Sequence, residues 1–185
     1  MKSLFVEREI KYTGEQLRSL WTFREFDTQG DSIVAFIGPC DVATSRLVDV
    51  ADAKANAPIW SERMLHFIVE HFDMSLERAI LRQRLLVSLI ADALNEAKGA
   101  FLVRRRGDDL FSDDRKLSVS IATRSPVSCL IHVGVNISSR NTPVPTRGLA
   151  DIGVDARRLA EAVLRAYVQE CESTQEARCK VRGVP

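Results

Sequence analysis

The stretch from Ser75 to Gly99 constrains this chain more than any other. Ser75 has the side chain that caps a helix start, and Gly99 is the residue that ends one. Between them, Leu76, Ile80, Leu85, Val87, Leu89, Ile90 and Leu94 fill most of a helical circumference. Such a helix must be covered, so the flanking segments have to build a layer against it. Short apolar or alternating runs supply that layer: Ser32–Ile37 and Met64–Phe72 before the helix, then Phe101–Arg105, Lys116–Thr123 and Ser128–Ile137 after it.

The remaining elements follow from local signals. Thr13-Gly14-Glu15-Gln16 has the spacing of a capping box, and with Leu17, Leu20 and Trp21 it predicts a helix over 13–26. Gly38-Pro39 is expected to stop the first strand. Cys40 to Trp60 reads as a long functional loop, bare or holding a short helix or ribbon. Ser112-Asp113-Asp114-Arg115 is a tight turn. Along Lys116–Thr123, Leu117, Val119 and Ile121 alternate with Lys116, Ser118 and Ser120, which predicts a strand whose polar side faces a site. Asp155 caps a last helix over 156–172, and the chain from about 173 is a polar tail. Strand neighbours joined by short turns imply an α+β fold. The expected architecture is one domain over 1–185, a mixed and mostly antiparallel sheet packed with helices.

Composition removes several function classes. Lys plus Arg number 26 and Asp plus Glu 25. That balance gives no general attraction to nucleic acid or to a membrane surface. The four cysteines form no C-x-x-C pair, which fits a reduced, cytoplasmic setting. Lys2, Glu7, Arg8 and Glu9 interrupt any signal-peptide core, and the apolar run Leu85–Ile90 is too short to span a bilayer. Neither a dinucleotide fingerprint nor a P-loop motif occurs.

Several residues could carry chemistry. Arg104 and Arg106 share one side of a predicted strand and could hold a phosphate or carboxylate, or form a solvated edge. Cys40 follows a buried strand. It is either an inert core cysteine or a nucleophile, if His66 or His132 reaches it. His66 and Glu70 share a strand face that could line a pocket with Cys40. His71 faces the other way, so a shared zinc site is weakly supported. A packed core histidine is the competing reading for both His66 and His132.

The order from Leu85 to Ser138 is a long helix, Gly99, a strand, Arg-Gly-Asp-Asp-Leu-Phe, four turn residues, Arg-Lys-Leu-Ser-Val-Ser-Ile, then Leu-Ile-His-Val-Gly-Val-Asn-Ile. This resembles the core of biotin and lipoate protein ligases, a fold related to class II aminoacyl-tRNA synthetases. The resemblance implies that Lys116 contacts the activated carboxyl and phosphate. It places Asp109 and Asp108 at the Asn-Asp motif. Ser118 and Ser120 fall on a Ser-Gly-Ser strand, with Val119 replacing glycine, and Asn136 on the next strand. His132 and Asn136 also resemble the His-Gly…Asn run of octanoyl transferases. Two departures stand out. The Gly/Arg-rich adenylate loop is replaced by Gly38-Pro39-Cys40-Asp41-Val42 and its sequel. The Pro-Cys-Gly nucleophile gives way to Asn141-Thr142-Pro143-Val144. The whole chain also resembles a domain-of-unknown-function family.

In such a ligase a carboxylate is joined to AMP, and a fixed ammonium stabilises the developing charge. Lys116 has the right chemistry. Asp109, with Asp108, could hold Mg²⁺. A turn ion pair of Lys116 or Arg115 with Asp113 or Asp114 is the alternative. Three functions are therefore expected to compete. One is an ATP- and Mg-dependent ligase or acyl/adenylyl transferase that takes a small carboxylic acid and passes it to an acceptor protein or metabolite. In it Ser118, Ser120 and Asn136 line the acyl pocket. Another is a Cys40-dependent acyl or amide transferase, and the last is a non-catalytic binding module. A homodimer, with no membrane and no nucleic-acid partner, completes the expectation.

Overall fold

In chain order the strands are β1 Lys2–Val6, β2 Ser32–Val42, β3 Ile59–His71, β4 Val103–Arg106, β5 Asp109–Ser112, β6 Arg115–Lys116, β7 Ser118–Arg124 and β8 Cys129–Asn136. The helices are α1 Trp21–Phe26, α2 Val50–Lys54, α3 Leu76–Lys98 and α4 Ala156–Lys180. They come from a computed structural model that describes residues 1–142 and 144–184. Pro143, within the loop that replaces the octanoyl-transferase nucleophile, lies outside the described residues.

Five strands form the main sheet, in the order β1-β2-β3-β8-β7, and β4, β5 and β6 form a smaller one. Every pairing is antiparallel except β1 with β2. The expected mixed, mostly antiparallel α+β sheet is present. β1 was not foreseen, because Lys2–Val6 is too short and too charged around it to stand out.

The period of two along each strand divides the main sheet into two faces. Ile33 and Ala35, Leu65 and Phe67, Ile131 and Val133 point to one side, where α3 and α4 cover them. Ser75 caps α3 by accepting from the Arg78 N–H, and Asp155 caps α4 in the same way. The buried stripe of α3 is narrower than its composition suggests. Leu86, Val87, Ile90 and Leu94 are buried, whereas Leu76 and Ile80 are exposed. α4 runs on to Lys180, so the polar tail expected from 173 is helical, with its residues exposed. No helix among the described residues is long and apolar enough to cross a membrane.

Val34, Phe36, Met64 and Ile68 point to the opposite side. Its cover is the N-terminal segment, including Tyr12 and Trp21. This segment differs from the predicted helix over 13–26. Gln16 does reach back to the Thr13 N–H, which is half of a capping box. Gly14, at φ 86°, then turns the chain away from a helix. Helix α1 starts only after Leu20, whose backbone is left-handed at φ 62°. The buried Glu70 carboxylate accepts from the Leu20 N–H at 2.9 and 3.1 Å, and these charge-assisted bonds hold the strained residue.

The first strand also runs past its predicted stop. β2 continues through Gly38-Pro39-Cys40 to Val42, with a bulge between Gly38 and Cys40. The segment Ile10–Tyr12 lies along this irregular stretch. Ile10 donates to Ile37, Tyr12 donates to Pro39 and Asp41 donates to Tyr12. The approach is so close that a Cβ on Gly38 would lie 1.9 Å from the Ile10 carbonyl oxygen. Gly38→Ala is therefore expected to destabilise the fold by roughly 1–3 kcal/mol, read as a lower urea midpoint. An unchanged midpoint would show that the N-terminal segment can move away freely.

Candidate functional site

A cleft of about 440 Å³ opens on the face that the N-terminal segment covers. Its floor is the sheet: Met64 on β3, His132 and Asn136 on β8, and Val119 and Ile121 on β7. Tyr12 forms one side. The segment after β2 forms another, with Asp49 and Asp52, next to Trp60 at the start of β3. That segment holds a 3₁₀ turn, Thr44–Arg46, and the short helix α2, which Asp49 caps. The loop expected over 40–60 thus contains a short helix. Lys116 and Asp109 lie at the β7 edge.

Lys116 does not make the turn ion pair considered above. Its Nζ lies 2.8 Å from Asp109 Oδ2, while Asp113 pairs with Arg147 and Asp114 with Arg106. The Lys116 backbone is fixed from both sides, by Phe111 on β5 and by the chain at Pro145–Arg147. Burial pushes the Asp109 carboxyl up. Lys116 opposes that shift, and the carboxylates of Asp108 and Asp52 add to it. The cleft lining carries Asp49, Asp52, Asp108 and Asp109 against Arg46 and Lys116, so its charge leans acidic.

Ser118 and Ser120 border the cleft, and their hydroxyls are tied to neighbouring elements. The predicted strand over 116–123 breaks at the buried Leu117, so Lys116 belongs to the small sheet and Ser118 to the large one. Ser118 Oγ accepts from the Leu110 N–H at 2.8 Å. Ser120 Oγ donates to the Asp108 carbonyl and accepts from Gln83 Nε2, both at 2.7 Å. Gln83 also donates to the Asp108 carboxylate. These hydroxyls clamp β5 onto β7 and α3, and so set the position of Asp108 and Asp109. Val119 and Ile121 of β7 border the cleft beside them.

His66 and His132 do meet. His66 Nδ1 lies 3.1 Å from His132 Nε2, and His66 Nε2 lies 3.2 Å from the Gly38 carbonyl. Tyr12 stacks on His132, with ring centroids 3.8 Å apart. Burial holds the His66 ring down to about 3 and His132 well below the usual histidine value. The pair is neutral, which joins the core reading to the pocket reading: His66 is wholly buried, and His132 borders the cleft. Glu70 is not part of this group. It is buried against Leu20 and Ser128. His71 is bonded to Asp31 and Tyr167 on the side of α4.

Cys40 is corrected as a nucleophile. It is fully buried in the core behind the cleft, and burial pushes its thiol up to about 12, with Asp41 adding to the shift. A thiol held protonated in that way is inert. Arg104 and Arg106 are corrected as well. Both are exposed and lie away from the cleft lining, over Phe101 and Phe111 respectively. The β4–β5 hairpin turns them to solvent. Asn136 does border the cleft, beside the strand break. No group of three or more His, Cys, Asp or Glu among the described residues could hold a metal ion. Asp109 is paired with Lys116. Tyr12, Gln83 and Asp52 escaped sequence reasoning. Only tertiary contact brings each to the site.

The neutral histidines make stability depend on pH. In the unfolded chain both rings titrate near 6.5. Their folded values lie lower, so the unfolded state binds more protons once the pH falls below that point. This stabilisation is complete above the unfolded value and is lost as the pH falls. For His66, held down to about 3, the loss from pH 7 to 5 is about 2 kcal/mol, and His132 adds to it in the same direction. Urea denaturation at the two pH values should show it, and His132→Phe should reduce it. Equal stability at both would mean that the rings take up protons within the fold.

Comparison with known proteins agrees with the fold. An uncharacterized protein of Methanocaldococcus jannaschii is 37% identical over 182 residues, covering 95% of this chain and 81% of its own. A solved protein of unknown function from Pyrococcus horikoshi is 36% identical with a TM-score of 0.93, covering 100% of this chain and 99% of the other. The biotin protein ligase of Aquifex aeolicus, solved with biotin and ATP, has a TM-score of 0.63 at 14% identity over 95% of this chain and 72% of its own. A putative lipoate protein ligase of T. acidophilum with lipoic acid has a TM-score of 0.60 at 12% identity over 93% of this chain and 86% of its own. At such identities the likeness shows the fold, which is that of biotin and lipoate protein ligases. The family described as Domain of unknown function (DUF366) matches residues 1–182, and the chain belongs to it.

Proposed function

We propose that the cleft binds a small carboxylic acid and activates it, as an adenylate-forming ligase or acyl transferase. The observation that carries this reading is Lys116, held 2.8 Å from Asp109 at the edge of a partly apolar cleft. It sits on a fold whose solved neighbours hold biotin with ATP, or lipoic acid. The ammonium exchanges Asp109 for the ligand carboxylate, and the raised carboxyl of Asp109 lowers the cost of that exchange. In the activation step a carboxylate oxygen attacks the α-phosphorus of ATP, and the bond to pyrophosphate breaks. Lys116 stabilises the charge that gathers on the carboxyl and phosphate oxygens. An acceptor amine or thiol, on a protein or a metabolite, then attacks the acyl carbon, and AMP leaves. Mg²⁺ enters with the nucleotide as part of the substrate.

The acidic lining favours a second reading, a binding module without catalysis. Four aspartates border the cleft, and the segment after β2 has no Gly/Arg-rich loop to cradle a triphosphate. Calorimetry separates the two, with MgATP titrated alone and together with octanoate, lipoate or biotin. Lys116→Ala is expected to weaken acid binding about tenfold. It should change stability by less than about 1 kcal/mol, since the pair is partly exposed. Asp109→Asn should tighten acid binding by removing the competing carboxylate. MgATP binding that depends on Lys116 supports the ligase. Acid binding without any nucleotide binding leaves the module. A large stability loss in Lys116→Ala with unchanged binding would make the lysine structural.

A further inference from the structure

The two histidines carry information that the carboxylate reading does not use. The Gly38 carbonyl can only accept, so His66 Nε2 must hold a proton. In a neutral ring His66 Nδ1 is then an acceptor. The contact with His132 Nε2 obliges that nitrogen to donate. Burial keeps both rings neutral, so His132 Nδ1 is left unprotonated. It has no hydrogen-bond partner among the described residues, yet none of their buried side-chain nitrogens or oxygens goes unpaired. Nδ1 therefore opens onto the space that His132 borders, which is the cleft. Tyr12 covers one face of the ring with the planes 13° apart, which leaves the ring edge as the approach.

We propose that the cleft selects its ligand through a neutral N–H donor of the amide, lactam or urea class, received by His132 Nδ1. His66 is the positioning residue that fixes which nitrogen of His132 accepts. A carboxylate placed there would face a lone pair, so the acidic end of the ligand lies elsewhere. The register shows where. Asn136, four residues from His132 on β8, donates its N–H to the Leu117 carbonyl, beside Lys116. His132 and Asn136 are thus about 13 Å apart along the strand. The ligand is elongated, with an uncharged donor at the His132 end and its carboxylate toward Lys116. Met64, Val119 and Ile121 line the floor between them. The inference rests on the cleft being a ligand site, as proposed above, but not on nucleotide binding or catalysis.

Two measurements on the full chain test it. The first is long-range ¹⁵N–¹H NMR of the histidine rings in the free protein. His66 and His132 should both carry the proton on Nε2, and a proton on His132 Nδ1 would overturn the proposal. The second titrates 2-piperidone against N-methyl-2-piperidone, which differ only in the N–H. The N–H form should bind about tenfold more tightly and shift His132 Nδ1, because the methylated form leaves that acceptor unpaired. In His66→Phe the tautomer is no longer fixed, and the preference should fall. Equal responses to the two lactams, or none to either, would sink the donor-selecting floor. Selectivity that persists when neither ATP nor any acid binds would sink the ligase reading alone.

Discussion

The close approach of Ile10 to Gly38 is the contact on which the rest of the site depends. It exists because a glycine stands where any side chain would strike the Ile10 carbonyl. Three backbone hydrogen bonds around it dock the N-terminal segment along an irregular part of β2. That docking closes the second face of the sheet, brings Tyr12 over His132 and leaves the Gly38 carbonyl for His66. A single position thus ties together the cover of the cleft, one of its walls and the tautomer of its floor.

The small sheet has a comparable role at the opposite edge. Val103 and Leu110 join it to the main core, and polar bonds fix its position. Ser118 holds the Leu110 N–H of β5, Ser120 the Asp108 carbonyl just before it, and Gln83 on α3 the Asp108 carboxylate. Such bonds are directional, so they fix where Asp108 and Asp109 sit more tightly than apolar contact could. The serines were matched to a binding strand by resemblance. Their hydroxyls are spent on positioning.

How much was legible in the sequence depended on the range of the forces involved. The caps at Ser75 and Asp155 are local, and both helices start where the sequence places them. Most strand runs are short-range patterns and were found with approximate ends, whereas β1 and the short β5 were not. Glycine and proline at 38 and 39 read as a stop, because locally they are one. Long-range docking of the N-terminal segment turned them into a bulge within β2. The capping box at Thr13 failed for a similar reason: Gly14 and the Glu70 carboxylate impose a different path. Lys116 and Asp109 were readable through the order of elements around them. Tyr12 was not, since nothing in its own neighbourhood marks it. Cys40 was attractive by position, and its burial could not be judged without the cover.

Glu70 links the two ends of this history. Its carboxylate holds the Leu20 N–H on one side and the Ser128 hydroxyl on the other, and it lies buried between them. Those residues are remote in the chain, so the contact forms only after long loops have closed. The α3 side also joins distant segments, as the bond between His71 and Tyr167 of α4 does, so both faces of the sheet wait for long loops to close. Contacts made late in folding act chiefly on the rate of unfolding. A molecule seated in the cleft would therefore act as a brake on opening, extending the lifetime of the folded chain with little effect on how fast it forms.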